Sequence, residues 1–180
     1  MIAVVDDAAG TENLLSRRNW FSSDTQEVTA DSWSIVSVDR LVRPAVLSQP
    51  EITVKVERDK PKWLDAAIQH LTRLLALPPN WDSHEGHPVE IVSTVKTIRV
   101  LVEVMRAETP IPAFVPTSAG GIQLEWHRAG IDLELEITPS GRVNVSYDDQ
   151  WTNTEWEGDV TTNVGTLKGF IPNLSRPSRT

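Results

Sequence analysis

The chain has 180 residues, 39% of them hydrophobic and 23% charged, which suits one ordinary domain with extensions and argues against wholesale disorder. Its formal charge of -8, from 17 Lys and Arg against 25 Asp and Glu, disfavours binding to phosphate backbones; Arg17-Arg18 and the pair Arg176 and Arg179 are too short a basic signal to offset it. There is no cysteine, which excludes disulfides, thiolate metal sites and cysteine nucleophiles together.

A cysteine-free chain fits a reducing compartment. The opening MIAVVDDAAGTENLL has neither the basic start nor the apolar run of a signal peptide. No stretch approaches the roughly 18 apolar residues needed to cross a bilayer. The expected location is therefore the cytoplasm, with no membrane and no nucleic acid among the partners.

Residues 1–30 are rich in Asp, Ser, Thr and Glu and read as a polar tail, with Trp20-Phe21 as its one large apolar pair. Residues 31–58 read as a β-rich extension. Ile52, Val54 and Val56 alternate with Thr53, Lys55 and Glu57, the period of a half-buried strand, while Trp33, Ile35, Val36 and Val38 fit that period less well. A hairpin is expected from the two pieces.

The core is expected between 59 and 150. A helix opens near Pro61, with Asp59 as its candidate cap. Leu64, Ile68, Leu71 and Leu75 share one face, and Pro78-Pro79 ends the helix. After the loop of residues 80–88, Pro88 opens a second helix with Glu90 in its first turn and Ile91, Val95, Ile98, Val102 and Met105 on one face. Arg99 and Glu103 form an i, i+4 pair on its wet side.

From there the period changes to two. Residues 112–117 suggest a strand before the Pro116–Gly121 turn. Ile122, Leu124 and Trp126 then alternate with polar residues, followed by Ile131, Leu133, Leu135 and Ile137, and by Val143, Val145 and Tyr147. Short turns at 128–130 and 139–141 imply an antiparallel meander. Its apolar face needs cover, and the two helices supply it. The expected class is α+β: two helices on an antiparallel three- to four-stranded meander, ordered α-α-β-β-β, after a strand-containing extension. Trp81 and Trp126 are expected in the core. Residues 151–180 read as a C-terminal tail carrying Trp151, Trp156 and Phe170.

The runs LPPNWDSHEGHP, PTSAGGIQLEW and DLELEITPSGRV resemble a family of small bacterial proteins with the pattern NWD-x-x-G followed by PT-x-x-GG-x-x-x-EW. The likeness covers about residues 64–146, anchored on Asn80-Trp81-Asp82 and on Gly120-Gly121 through Glu125-Trp126. It implies no established activity. His84, Glu85 and His87 stand where the pattern has tyrosine, glycine and small residues, so chemistry resting on them would be peculiar to this chain.

Two site readings follow. Asp82, His84, Glu85 and His87 are sound ligands for a transition metal, which would make a small metal-dependent hydrolase. Their compact spacing is no known metal signature, and the competing reading is a polar loop in which Asp82 accepts backbone N–H groups. Glu125, Asp132, Glu134 and Glu136 share the exposed side of neighbouring strands. Paired carboxylates serve acid–base chemistry, a solvated face looks the same, and an acidic face also attracts basic proteins. No catalytic constellation is complete. Gly120-Gly121 precedes a strand, whereas a phosphate loop precedes a helix. The reading that wins is a non-enzymatic protein-binding module, antitoxin-like, immunity-like or an assembly subunit, without cofactor. Glu125, Glu134 and Glu136 would meet a basic protein partner. Trp20, Phe21, Trp151 and Trp156 would be its apolar anchors, or else complete their own domain. Oligomerisation is left open.

Overall fold

Alternating apolar and polar residues form strands in two units, Met1–Lys60 and Pro61–Thr180. The computed structural model describes residues 60–176 throughout and, before them, the strands at 2–6, 28–30, 33–41 and 51–57.

In the first unit β1 (Ile2–Asp6), β2 (Val28–Ala30), β3 (Trp33–Leu41) and β4 (Glu51–Glu57) form one sheet in the order β1-β4-β3-β2. The expected pairing of the 33–41 and 51–57 pieces is present and antiparallel. The register slips between Ile35 and Ser37, so Val36 is an extra residue on its strand. That bulge is why Ile35, Val36 and Val38 do not keep a clean period of two. β1 runs parallel to β4, pairing Ile2 with Ile52 and Val4 with Val54. β1 and β2 thus fall within the stretch expected as a polar tail.

The second unit is α+β, with three helices and a five-stranded antiparallel sheet. α1 (Lys62–Leu75) begins with Pro61 at its N-cap. Pro61 needs no N–H there, and no side chain caps the helix; Asp59 lies outside the described residues. Trp63, Leu64, Ala67, Ile68, Leu71 and Leu74 are buried, and Leu74 takes the buried place expected for Leu75, which is only half-buried. α2 (Ile91–Val104) starts at Ile91 rather than Pro88, because the His87 and Glu90 N–H groups are still tied to the turn before β6. It is buried almost all round: Ser93, Thr94 and Thr97 join the aliphatic residues inside, where Thr94 and Thr97 hydroxyls donate to the carbonyls of Glu90 and Ser93. A helix that is apolar nearly all round is buried, and α2 meets α1 as well as β6 and β7.

The sheet comprises β5 (Ala113–Pro116), β6 (Ile122–Arg128), β7 (Ile131–Ile137), β8 (Val143–Asp149) and β9 (Thr154–Asp159), in sequence order. Register stacks the inner face in rows. Leu124, Leu135 and Val145 form one, and Trp126, Leu133, Tyr147 and Trp156 another. α1 meets β5, and α2 lies on β6 and β7. The β8–β9 half is covered by α3 (Gly165–Phe170) and a 3-10 turn at Ile171–Ser175, whose Leu167, Ile171 and Leu174 are fully inside. Residues 154–175, expected as a tail, therefore finish the sheet and its cover. Phe170 stacks on Tyr147 at 3.9 Å and touches Trp156 at 5.6 Å.

A buried polar knot fixes this last segment. Asp149, 1% exposed, receives the Tyr147 hydroxyl at 3.1 Å, the Arg176 Nη1 at 2.9 Å and the Trp151 N–H at 2.9 Å. Asn173 ties the same group, donating to Tyr147 and accepting from Arg176. Burial pushes the Asp149 carboxyl up, but the donors from Trp151, Thr152, Tyr147 and Arg176 outweigh it and hold it below its ordinary value.

Candidate functional site

The outer face of the five-stranded sheet is acidic over most of its width. Between 122 and 159 the chain has nine Asp and Glu, two arginines and no lysine. Register sets Glu125 directly opposite Glu134, with Ser146 and Glu157 continuing the row. A second row runs Gln123, Glu136, Asn144, Asp159, and a third runs His127, Asp132, Asp148, Glu155. Alternation thus brings Glu125, Glu134 and Glu136 together as expected, and adds the acids of β8 and β9. The acids of β9 escape notice in the sequence because that strand has no apolar alternation to reveal its phase.

Like charges opposite one another repel, and the face carries its own relief. Arg142, which donates to Asp159 at 3.2 Å, is one source. The sequence suggests no other, yet two amides and an imidazole also serve. Gln123 donates to Glu134 at 2.9 Å, and Asn144 donates to Glu136 at 3.1 Å. His127 stands 2.7 Å from Asp132 through Nδ1 and 3.4 Å from Glu125 through Nε2. Between Gln123, Glu134, Glu136, Asn144, Ser146, Glu157 and Asp159 lies an open concavity of about 530 Å³.

The hydrogen bond to Asp132 raises the His127 pKa above its ordinary 6.5, and Glu125 adds to the effect. The folded value lies above the unfolded one, so this contact stabilises fully below pH 6.5 and its contribution fades as pH rises through the raised value. The side chain is 51% exposed, so the effect on stability is small. In a ring-proton titration by NMR, His127 should titrate above the free imidazole, and Asp132→Asn should bring it down. An unchanged midpoint in that variant would disprove the pairing.

The loop at 80–90 is organised by its own backbone. Asn80, Ser83 and Glu85 adopt positive φ, which coils the chain tightly. Asp82 Oδ1 accepts the N–H groups of His84 at 2.8 Å and Gly86 at 2.9 Å, and these bonds hold its carboxyl below the ordinary range. Gly86 is four residues on, and a side chain there would run into the Asp82 carboxyl. His84 Nδ1 turns back to its own loop at Asp82 O, 2.7 Å away, and the His87 N–H goes to Ser118 O at 2.8 Å. Among the described residues no group of three or more His, Cys, Asp and Glu is placed to hold a metal ion. The metal alternative on Asp82, His84 and His87 thus lacks a converging set of ligands among the described residues, and Asp82 Oδ1 is used by the backbone of its own loop.

The loop instead joins the second motif. Glu90 N–H donates to Gly120 O at 2.9 Å, and the Ser93 hydroxyl reaches the same carbonyl at 3.1 Å. Gly120 has φ +87 and no room for a Cβ beside Pro88 O, and a Cβ on Gly121 would strike Ile137 O at 2.6 Å. The 80–90 loop and the Gly120-Gly121 turn are therefore one structural joint. Trp81 is a half-buried part of it, donating to His87 O at 3.1 Å, and is not the core plug expected.

Trp151 and Trp156 both lie on their own domain. The Trp151 indole lies against Gly130, where a Cβ would come within 2.6 Å of its Nε1. Trp156 folds over Gly158 on its own strand and meets Phe170. Trp20 and Phe21 lie outside the described residues. No helix among the described residues is long and apolar enough to cross a membrane.

Comparison with protein-family models, curated proteins and solved structures gives no match to this chain.

Proposed function

We propose that the protein is a non-enzymatic protein-binding module, of the antitoxin, immunity-protein or assembly-subunit kind, whose acidic outer sheet face takes a basic protein partner. The observation that carries this reading is the row-by-row placement of Glu125, Glu134, Glu136, Glu157 and Asp159 around an open concavity. A cationic surface would satisfy carboxylates that now share two amides, one imidazole and Arg142, and would associate faster at low salt. Two copies would meet acid to acid through this face, so it disfavours self-association. Trp156 is half-buried on its own strand, while Trp151 packs against Gly130 yet stays 37% exposed and remains available as an apolar anchor beside the carboxylates.

The Glu134→Lys, Glu136→Lys double variant tests the reading. A cation at position 134 would face Glu125 while the bonds from Gln123 and Asn144 are lost, so the fold should be kept and stability should change by no more than about 1 kcal/mol in either direction. Tagged wild type and variant are recovered from the native cell at low and moderate salt. The variant should lose partners that wild type holds at low salt. Equal recovery of the same partners, with the same salt dependence, would reduce the face to a wet surface.

A further inference from the structure

We propose that the free edge of β9 accepts an added strand from the basic partner, a segment in which Lys or Arg alternates with apolar residues. This rests on the protein-binding reading and assigns that partner a place and a conformation.

β9 ends the sheet, and among the described residues no strand lies beyond it. The Val160 N–H donates to Val143 O at 2.8 Å, which sets the phase of the β8–β9 ladder. Counting back through the register, Thr154, Trp156 and Gly158 turn their backbone groups toward β8. Glu155, Glu157 and Asp159 turn their N–H and C=O groups outward, and all three residues are exposed. The same three carry their side chains on the outer face, in the acidic rows. An incoming strand bonded to these residues would set its own side chains directly opposite three carboxylates, where opposite charges stabilise. Its intervening residues would fall on the inner side beside Trp156, which is half-buried.

Charge decides the occupant. A second β9 would meet this edge acid to acid, which is how natural sheets keep their edges from pairing with one another. A basic strand meets no such barrier. The concavity lined by Glu157, Gly158 and Asp159 adjoins the edge and extends to Glu134 and Glu136, leaving room for long cationic side chains to fold over β9. The opposite edge, β5, is a poorer template, with four residues and Pro116 among them.

The test uses the full chain and a six-residue, end-blocked peptide of alternating Lys and Val. It also uses the same peptide N-methylated at alternate amides, with its charge intact and its ladder bonds lost. Glu157→Pro removes only an outward N–H and should fold, since proline is tolerated on that side of an edge strand; Glu157→Gln is its control for charge. The unmodified peptide should slow amide exchange at Glu155, Glu157 and Asp159. N-methylation, and Glu157→Pro relative to Glu157→Gln, should each weaken binding about tenfold. Should Glu157→Pro not fold, the N-methylated peptide still decides. Equal binding of both peptides, with shifts confined to Glu134 and Glu136, would overturn strand addition and leave the acidic-face reading standing. No binding of either peptide would also overturn it, while recovery of partners by the Glu134→Lys, Glu136→Lys variant decides the broader reading separately.

Discussion

Replacing Trp126 with alanine is expected to destabilise the Pro61–Thr180 unit by about 3–5 kcal/mol. The indole is 3% exposed, lies opposite Leu133 in the inner row, and donates to Pro110 O at 2.6 Å. Truncation opens a cavity in the sheet core and leaves that carbonyl without its donor. Because Pro110 precedes β5, that strand should loosen along with the core. Trp81→Ala removes a half-buried ring and one bond to His87 O, so it should cost less, about 1–2 kcal/mol. Urea unfolding of both variants measures the difference. Equal losses would mean that Trp81 is packed as deeply as Trp126, against its position in the loop.

Arg176→Ala is the second large effect, expected at about 3 kcal/mol, the lower end for breaking a buried ion pair. It leaves Asp149 shielded from solvent without its cation and leaves the Asn173 side-chain oxygen without its donor, while Asn173 keeps its bond to Tyr147. The figure stays at the lower end because Arg176 itself is 34% exposed, so water could partly replace it. The pH dependence has a definite sign. Asp149 has its folded pKa held below 3.8, so its contribution is full well above that value and is lost as pH falls through the lowered one. Asp149→Asn should therefore lose stability at neutral pH and show a flatter stability profile than wild type between about pH 5 and 2. Parallel profiles for the two proteins would show that Asp149 is not held in its charged form by this knot.

The parts of the fold legible in the sequence are those where burial imposes a period. β6, β7 and β8 lie where Ile122–Trp126, Ile131–Ile137 and Val143–Tyr147 alternate, and the acidic face follows from the same alternation. β9 was not legible because its inner positions are Thr154, Trp156 and Gly158, with one large apolar side chain among them. The C-terminal cover did leave a trace: Leu167, Ile171 and Leu174 are spaced i, i+4, i+7. Gly169 and Pro172 interrupt that signal, and the segment changes from α to 3-10 at Ile171. The role of Asp82 was visible as an alternative, since a short carboxylate after Asn-Trp suits a turn, but which use wins depends on backbone geometry. The half-burial of Trp81 had no local signal at all, because it depends on how the 80–90 loop meets Gly120.

The order of the sheet bears on how the protein is made. Each of β5 to β9 pairs with its neighbour in sequence, so hairpins can add one after another as the chain leaves the ribosome, with little loop entropy to overcome. The cover does not follow the same schedule. α1 and α2 precede their strands and are ready for β6 and β7, but Leu167, Ile171 and Leu174 emerge after β9 is complete. Until they do, Val145, Tyr147 and Trp156 belong to a sheet whose apolar side is bare on one half. A nascent chain paused near residue 160 would thus be the form most exposed to chaperones and to aggregation.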